Sequence, residues 1–521
     1  MVQGKGWQWR SFQTLGLVLI LVCSLMRFVH LDNKPYWYDE VYTSLRLSGS
    51  TKVDIFEQVG TAQHNFGNLT NFQCPPRDGN LGNVLHGLIT DDVHPPLYFA
   101  LLYYWIKVLG CTTAHLRLFS AILSLLLILA SYVLTREIFR SEAIALLTTL
   151  LMTNSPIFLI YAQEARQYAL LVLLALSSSI FLYRHLDRKN TKISIKNLIF
   201  YSFLSTAGLY CHTLYYGVVA GQLGHCLFNS IPFKRNQSLI KNILSGIQLN
   251  KEIIFTLGLS LSVFLIWLLK VILVQGFKIT VGADYTWKEF SSQVLWQRIV
   301  LNFTSIIHDF ESPLKSEILT QNVANSSLLD LNLNEILMTI FIPVILLYSL
   351  WYTIKHSDRS RTVLLGWLAL PSILFLLKDL LLGGSAASII RYQLLSVFGL
   401  YAALSFCSIH LLKTLSSEGL KYLVTALIII LCQQQLTSNF NYLNASSWWS
   451  KYGDYQLYEF ANRVHQSPQP IVVVEANYRE MVNLLKLSYV LEPTVPFQLL
   501  EKNNVPETML KSYDVFWAPQ I

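Results

Sequence analysis

The sequence predicts an all-α polytopic membrane protein that carries a small α/β appendage at its C-terminal end. Of its 521 residues, 53% are hydrophobic and only 13% are charged, and the mean hydropathy is +0.42. A soluble domain carries about 25% charged residues. Apolar runs long enough to cross a bilayer, about 20 residues each, recur along the chain. These observations exclude an ordinary soluble enzyme.

The candidate membrane spans are apolar runs separated by polar or basic segments. They are 12–31, 96–110, 117–135, 142–160, 167–184, 197–212, 213–230, 252–275, 335–353, 362–382, 389–412 and 420–435. Polar residues interrupt several of them, so we expect about 11 spans, or about 13 if a segment is split. The first run lacks a small-residue cleavage site after it, which predicts a retained span rather than a signal peptide.

Basic residues indicate the orientation of these spans. Lys and Arg cluster at the N-terminus and at 184–196, 234–251 and 355–361. The positive-inside rule places these clusters in the cytoplasm. The outer side then receives the loops 32–93 and 276–334 and the tail 436–521. Because the net charge of +8 lies in short loops, no nucleic-acid partner is predicted.

The chain between residues 94 and 184 does not fit this topology without a further assumption. The number of crossings there must be odd, yet four candidate spans lie in that stretch. We therefore expect one of them to be partial, re-entrant or broken.

The predicted domain organisation has two parts. Residues 1–435 form the membrane domain, and residues 436–521 form an extracytoplasmic appendage with a buried strand in "PIVVVEA" and helices on either side. Six of the seven cysteines are counted with the apolar segments, and Cys74 alone lies in a long loop. This distribution predicts no disulfide framework.

Asp39 and Glu40 in "KPYWYDEVYTS" are the first candidate site residues. Two adjacent carboxylates among aromatic residues, just after the first span, suit an interfacial helix whose aromatics anchor at the headgroups. The carboxylates could face a reaction cleft. The alternative is a solvated pair in a loop.

The second group lies in "DDVHPPLYF", immediately before a span. Pro95 forces His94 out of the helical region and Pro96 suits the first turn of the next helix. Asp91, Asp92 and His94 are therefore expected in a stiff lead above the membrane. The alternative is that an Asp only caps the helix.

The third and fourth groups are polar interruptions at predicted outer ends of spans. Glu164 and Arg166 lie in "YAQEARQY", where they could line a polar cavity or neutralise each other. His212 lies in an outer turn and is either functional or an interhelical hydrogen-bonding residue. Arg391 opens a late span, where it either binds phosphate or extends to lipid headgroups. On the inferred topology all four groups face outside.

Together these motifs resemble the GT-C membrane glycosyltransferases, specifically the family 39 branch of protein O-mannosyltransferases and aminoarabinose transferases. The resemblance covers roughly residues 12–412. Its matching residues are Asp39-Glu40, the D-x-H-P-P-L segment Asp92 to Leu97, the R-L-x-S-A segment Arg117 to Ala121, the segment 155–168, and Arg391-Tyr392.

Two departures leave the acceptor open. The mannosyltransferases carry a large sugar-binding-like insert in a later outer loop, for which residues 276–334 are too short. Where aminoarabinose transferases have a lysine after the acidic position, this chain has His94. A glycan, lipid or protein acceptor therefore remains open.

The resemblance implies a sugar donor linked to polyprenyl phosphate and an active site on the extracytoplasmic side of the plasma (inner) membrane. It implies that Asp39 is the catalytic base, with Glu40 beside it. Arg391, Tyr392 and Arg166 would hold the donor phosphate, and Asp91, Asp92 and His94 would position the acceptor.

Further expectations attach to the same site. Glu164 and His212 would line the cavity, and Glu40, Asp92 and His94 could bind a divalent metal, although the family is not uniform about metal. Two competing classes are a sugar-lipid transporter or flippase and a scaffold without catalysis. The transporter explains the spans and intramembrane charges but not the carboxylates concentrated in the first outer loop.

Overall fold

The structure is a computed structural model that describes residues 3–76, 79–91, 94–187, 194–228, 247–276, 291–320, 327–357, 370–451, 455–478, 480–501 and 504–519. Asp92 lies outside these ranges. So do residues 188–193, 234–246 and 358–361, which hold most of the basic residues of the predicted cytoplasmic clusters at 184–196, 234–251 and 355–361.

The helices of the membrane domain and its loops follow in chain order. They are α1 Gln3–Leu25, α2 Tyr38–Ser48, α3 Lys52–Val59, α4 Leu81–Asp91, α5 Leu97–Leu109, α6 Thr113–Phe139, α7 Glu142–Thr153, α8 Pro156–Ala162, α9 Tyr168–Asp187, α10 Ile195–Cys211, α11 Tyr215–Phe228, α12 Lys251–Gln275, α13 Ser292–Ser305, α14 Pro313–Thr320, α15 Leu333–His356, α16 Leu370–Leu382, α17 Leu394–Thr414 and α18 Glu418–Asn444.

The C-terminal segment contains shorter elements and most of the sheet. Its helices are α19 Tyr455–Gln466, α20 Glu480–Leu487 and α21 Glu507–Ser512. The strands are β1 Gln63–Asn65, which comes from the first outer loop, and β2 Pro470–Glu475, β3 Pro496–Leu500 and β4 Asp514–Trp517.

Where the structure describes them, the predicted apolar segments lie mostly in helices, which confirms the all-α membrane class. Within the described residues, 6 helices are long and apolar enough to cross a membrane, or up to 7 if a bent pair is one span. The expected number was about 11 to 13. Several predicted segments form helices too short to qualify within the described residues, and residues 362–369 of the predicted span 362–382 lie outside them. The helix α5, for example, has 13 residues.

The bent pair is α7 and α8, which meet at 60°. The sequence explains the break, because Pro156 lies at the first position of α8, where its ring could not continue α7. Groups freed there find partners, since the carbonyl oxygen of Thr153 accepts a hydrogen bond from Arg27 at 3.1 Å. A broken segment between residues 94 and 184 agrees with the expectation from the charge pattern.

The sheet joins the tail to the first outer loop. Its strand order is β1-β3-β2-β4, with β2 parallel to both β3 and β4 and with β1 antiparallel to β3. The apolar run of β2, Ile471 to Val474, is fully buried, as expected for a central parallel strand. The division at residue 435 stays a prediction, and the structure adds that residues 63–65 complete the appendage's sheet.

The three predicted outer regions contact one another. Besides the shared sheet, Gln73 of the first loop donates to Ser488 of the tail at 2.6 Å. Asp309 of the second loop accepts a hydrogen bond from Trp448 at 2.7 Å. All three regions therefore lie at the same end of the molecule.

The prediction about cysteines was wrong in one respect, because Cys74 and Cys111 form a disulfide with a Cα–Cα distance of 6.0 Å. The helix α5 ends before Gly110, whose φ of +88° turns the chain away from the helix axis. Cys111 thus lies in the loop after the apolar segment rather than within it. This bridge ties the turn between α5 and α6 to the first outer loop.

Candidate active site

Asp39 and Glu40 lie in the first turn of α2, at the end of the helix where the backbone dipole favours negative charge. Trp37 is the N-cap residue with an extended backbone, and its carbonyl accepts from the amide of Glu40 at 2.9 Å. Adjacent residues on a helix point in different directions. Accordingly, the Asp39 side chain is 17% exposed, whereas Glu40 is fully buried.

Glu40 is held by a buried ion pair with Arg117. The Arg117 guanidinium donates from Nε to Oε1 at 2.8 Å and from Nη2 to Oε2 at 2.6 Å. The amide of Ala165 also donates to Glu40, at 2.8 Å. Burial alone would raise the pKa of Glu40, but Arg117 and Lys451 outweigh that effect and lower it below the ordinary value.

Arg117 also fixes the chain just before α2. Its Nη1 and Nη2 groups donate to the carbonyl oxygens of Leu31, Lys34 and Pro35 at 2.7, 3.0 and 2.8 Å. A planar guanidinium has several donors, so it can bind a carboxylate and several carbonyl oxygens at once. The geometry makes Glu40 and Arg117 the clasp that sets the start of α2, and with it the position of Asp39.

Asp39 faces two arginines from distant parts of the chain. The Nη2 atom of Arg391 lies 3.6 Å from its Oδ2 atom. Arg166 donates to the backbone carbonyl of Asp39 at 3.1 Å and to the hydroxyl of Thr43 at 3.2 Å. The structure thus brings together Asp39, Arg166 and Arg391, which the sequence only suggested share one face of the membrane.

Two histidines extend this group. The Nη2 atom of Arg166 is 3.2 Å from Nε2 of His94. The rings of His94 and His212 lie edge to face with centroids 5.6 Å apart. The amide of Leu214 donates to Nδ1 of His212 at 3.0 Å, which fixes that ring.

Asp91 is directed elsewhere. Its carboxylate lies 3.0 Å from Arg46 and 3.7 Å from Lys52, so it joins α4 to the far end of α2. Asp92 lies outside the described residues. The role of Asp91 in positioning the acceptor stays a prediction, and its ion pairs join α4 to α2 and α3.

Glu164 is fully buried, and its Oε1 atom accepts from Nζ of Lys451 at 2.7 Å. Burial raises the pKa of the Glu164 carboxyl above its ordinary value. Lys451 also lies 3.9 Å from Oε2 of Glu40. Sequence reasoning missed Lys451, because it belongs to the tail, and the only available signal was a lysine following the tryptophan pair of "SSWWSK".

An apolar cavity of about 290 Å³ opens beside Arg391. Its lining residues come from α9, α11, α16 and the start of α17, and they are Leu171, Thr213, Leu214, Tyr216, Gly217, Leu374, Phe375, Arg391, Tyr392, Leu394 and Leu395. The ring of Tyr392 stacks on Phe375 with centroids 5.9 Å apart. A guanidinium in the lining of an otherwise apolar cavity suits a ligand with an anionic head and a hydrocarbon tail.

The candidate metal set stays a prediction. Asp92 lies outside the described residues, and both oxygens of Glu40 are already engaged by Arg117. Within the described ranges, no group of three or more His, Cys, Asp or Glu side chains is arranged to hold a metal ion.

Comparison with known proteins gave one family match and several structural matches. The model of the dolichyl-phosphate-mannose-protein mannosyltransferase family matches residues 93–267. The fold is similar to that of the Archaeoglobus fulgidus oligosaccharyltransferase in complex with Zn and sulfate, at 12% identity and a TM-score of 0.50, over 92% of this chain and 62% of that one.

Two further structures are similar at lower scores. One is the A. fulgidus oligosaccharyltransferase AglB with an inhibitory peptide and dolichol-phosphate, at 12% identity and TM-score 0.47, over 92% of this chain and 64% of that one. The other is ArnT from Cupriavidus metallidurans bound to undecaprenyl phosphate, at 12% identity and TM-score 0.42, over 93% and 85%. A search of curated proteins found no match.

These findings confirm the predicted resemblance to the GT-C membrane glycosyltransferases and the GT-C fold. The chain spans 62% of the length of the archaeal oligosaccharyltransferase, and at 12% identity the likeness establishes the fold alone. The matched range 93–267 contains His94, Arg166 and His212, so it includes part of the site described above.

Proposed function

We propose that this protein is an inverting glycosyltransferase that moves a sugar from a polyprenyl-phosphate donor to a hydroxyl acceptor. The observation that carries the proposal is the placement of Asp39 beside Arg391, which also lines an apolar cavity of about 290 Å³. A carboxylate for proton abstraction and a guanidinium for a phosphate leaving group are the two groups such a transfer needs.

The proposed reaction is a single displacement at the anomeric carbon. Asp39 accepts the proton of the acceptor hydroxyl while the hydroxyl oxygen attacks the carbon opposite the phosphate. The bond between that carbon and the phosphate oxygen breaks, and the phosphate leaves as an anion stabilised by Arg391. His94 and Arg166, which contact each other at 3.2 Å, bound the same space.

The test is transfer of labelled sugar from a panel of polyprenyl-phosphate donors in membranes that contain the protein. Label is measured in lipid, glycan and protein fractions and compared with membranes lacking the protein. Label that requires the protein supports the proposal and identifies the acceptor fraction. Movement of intact donor across sealed vesicles without transfer would instead support a flippase.

Arg391→Gln is expected to lower kcat/KM by about 100-fold, because it removes the charge that stabilises the leaving phosphate. Arg391→Lys keeps the charge but not the planar guanidinium, so its kcat/KM should lie between those of the wild type and Arg391→Gln. Initial rates against donor concentration measure the effect. The control is Arg463→Gln, an exposed arginine of the appendage, and an Arg391→Gln rate equal to that of the control would contradict the assigned role.

We infer that the site faces the extracytoplasmic side, and the disulfide supports this sidedness because disulfides persist in oxidising compartments. Intact cells would be treated with a membrane-impermeant reductant and then with an impermeant maleimide. Cys74 and Cys111 should be labelled only after reduction, whereas the five free cysteines are buried or half-buried. Labelling that requires permeabilised cells would reverse the orientation.

A further inference from the structure

Lys451 lies at the centre of a buried charge cluster behind Asp39. Its side chain is 1% exposed, and its Nζ atom lies 2.7 Å from Glu164 and 3.9 Å from Glu40. The same atom lies 5.4 Å from the ring centroid of Trp37, the N-cap residue of α2. The guanidinium of Arg391 lies over that same ring, at 5.6 Å. Lys451, a residue of the tail, therefore lies beside Trp37, which caps the helix that carries Asp39 and packs against Arg391.

The second outer loop fixes the segment that carries Lys451. Asp309 accepts hydrogen bonds from the indoles of Trp448, at 2.7 Å, and of Trp449, at 2.9 Å. It is also paired with Lys315, and both side chains of this pair are fully buried. Glu311 accepts a hydrogen bond from the backbone amide of Trp449. Lys451 comes two residues after Trp449. The contacts of Asp309 and Glu311 with the two tryptophans therefore fix the position of Lys451.

Lys451 supplies the positive charge that pairs with the buried Glu164. The titratable groups around it are Glu40, Glu164, Arg117, Lys34 and Tyr442, with Asp39 next to Glu164. Arg117 is committed to Glu40 at 2.6 Å. Without Lys451, Glu164 would be a buried carboxylate that has lost its ammonium partner.

We propose that Lys451 is a positioning residue for the transfer reaction, which neutralises Glu164 behind Asp39 and holds Trp37 under Arg391. The tail segment thereby completes the active site instead of serving only as a separate appendage. This inference rests on the proposed function. Lys451 acts through its neighbours, so its effect should follow the charge of the cluster.

A double-mutant cycle tests this through the pH profile of kcat, with Lys451→Met, Glu164→Gln and the double variant. Loss of a positive charge makes nearby carboxylates harder to ionise. Lys451→Met should therefore move the acid limb to higher pH by about one unit and lower kcat about tenfold at neutral pH. The double variant removes one positive and one negative charge, so the net charge of the cluster equals that of the wild type. Its acid limb should therefore return towards that of the wild type. Lys451→Arg should keep the wild-type limb.

The control is Lys511→Met, a lysine of the appendage that is 79% exposed, which should leave the profile unchanged. An unchanged acid limb in Lys451→Met would overturn the inference, as would a shift that Glu164→Gln does not reverse. If Lys451→Met does not accumulate, the double variant is compared with Glu164→Gln alone. Its acid limb should then lie above that of Glu164→Gln, and coincidence of the two would overturn the inference.

Failure of this inference is distinguishable from failure of the proposed function. Absence of transfer by the wild-type protein with every donor would remove the proposed function. Wild-type transfer that is lost in Asp39→Asn but has the same pH profile in Lys451→Met would remove only the role of Lys451.

Discussion

Asp39→Asn is expected to lower the rate of sugar transfer by about 10²- to 10⁴-fold, the range contributed by a general base. The amide is nearly isosteric but cannot accept the acceptor's proton. Because the Asp39 side chain is 17% exposed and the clasp between Glu40 and Arg117 is separate, the variant should fold normally. The rate is measured at saturating donor, with equal amounts of folded protein.

The matched control for this variant is Asp32→Asn, an exposed carboxylate in the same loop. It removes the same charge from the same segment and should leave the rate unchanged. If Asp39→Asn and Asp32→Asn transferred sugar equally, Asp39 would not be the base. Glu164 and His94 would then be the next candidates for the general base.

Arg117→Met is expected to lower the free energy of unfolding by about 3 to 5 kcal/mol, because it leaves Glu40 buried without its main partner. Both side chains of the pair are 2% exposed or less. Arg117 also holds the carbonyls of Leu31, Lys34 and Pro35, so the start of α2 should loosen as well. Denaturant titration in lipid nanodiscs measures the loss.

The comparison variant is Arg136→Met, at the other end of the same helix, where the side chain is 62% exposed and pairs with Glu142 at 3.0 Å. Exposed pairs contribute about 0 to 1 kcal/mol. Equal losses for the two variants would mean that the buried clasp does not stabilise the fold.

The clasp also predicts a pH dependence of stability. The pKa of Glu40 in the folded protein is lowered from its ordinary value of 4.5. The contribution of ionised Glu40 to the free energy of unfolding is therefore fully present above about pH 4.5. The contribution is lost as pH falls from about 4.5 through the lowered folded pKa. Unfolding titrations of wild type and Glu40→Gln should therefore converge at low pH, and a gap that persists there would contradict the assignment.

The sequence predicted the membrane class and pointed to candidate site residues because both depend on local signals. Apolar length located the helices, and the charge pattern placed Asp39, Arg166, His212 and Arg391 on one face. The structure brings these side chains within contact of one another. The position of the break at Pro156 was not predicted, because the apolar run 142–160 was interpreted as one span.

What the sequence did not predict depends on distant contacts or on helix ends. Cys111 was counted with an apolar segment because the end of α5 at Leu109 could not be located to within one residue. The strand β1 has only three polar residues, "QHN", so no alternation marks it. Lys451 pairs with Glu164 over a sequence separation of 287 residues, and no motif connects the two positions.

The different roles of Asp39 and Glu40 are a second case. As adjacent letters they read as a catalytic pair, but one residue along an α-helix turns the side-chain direction by about 100°. Glu40 therefore meets Arg117 in the core while Asp39 faces Arg391. Only knowledge of where α2 begins and of what packs against it assigns the two carboxylates different tasks.

The most direct test of the central claim is the configuration of the new glycosidic bond, determined by NMR, together with the amount of polyprenyl phosphate released. The purified protein in nanodiscs would be given one donor that supports transfer. We predict the anomeric configuration opposite to that of the donor, one polyprenyl phosphate released per bond formed, and neither product with Asp39→Asn. Retained configuration, or equal product from Asp39→Asn, would contradict a single displacement with Asp39 as the base.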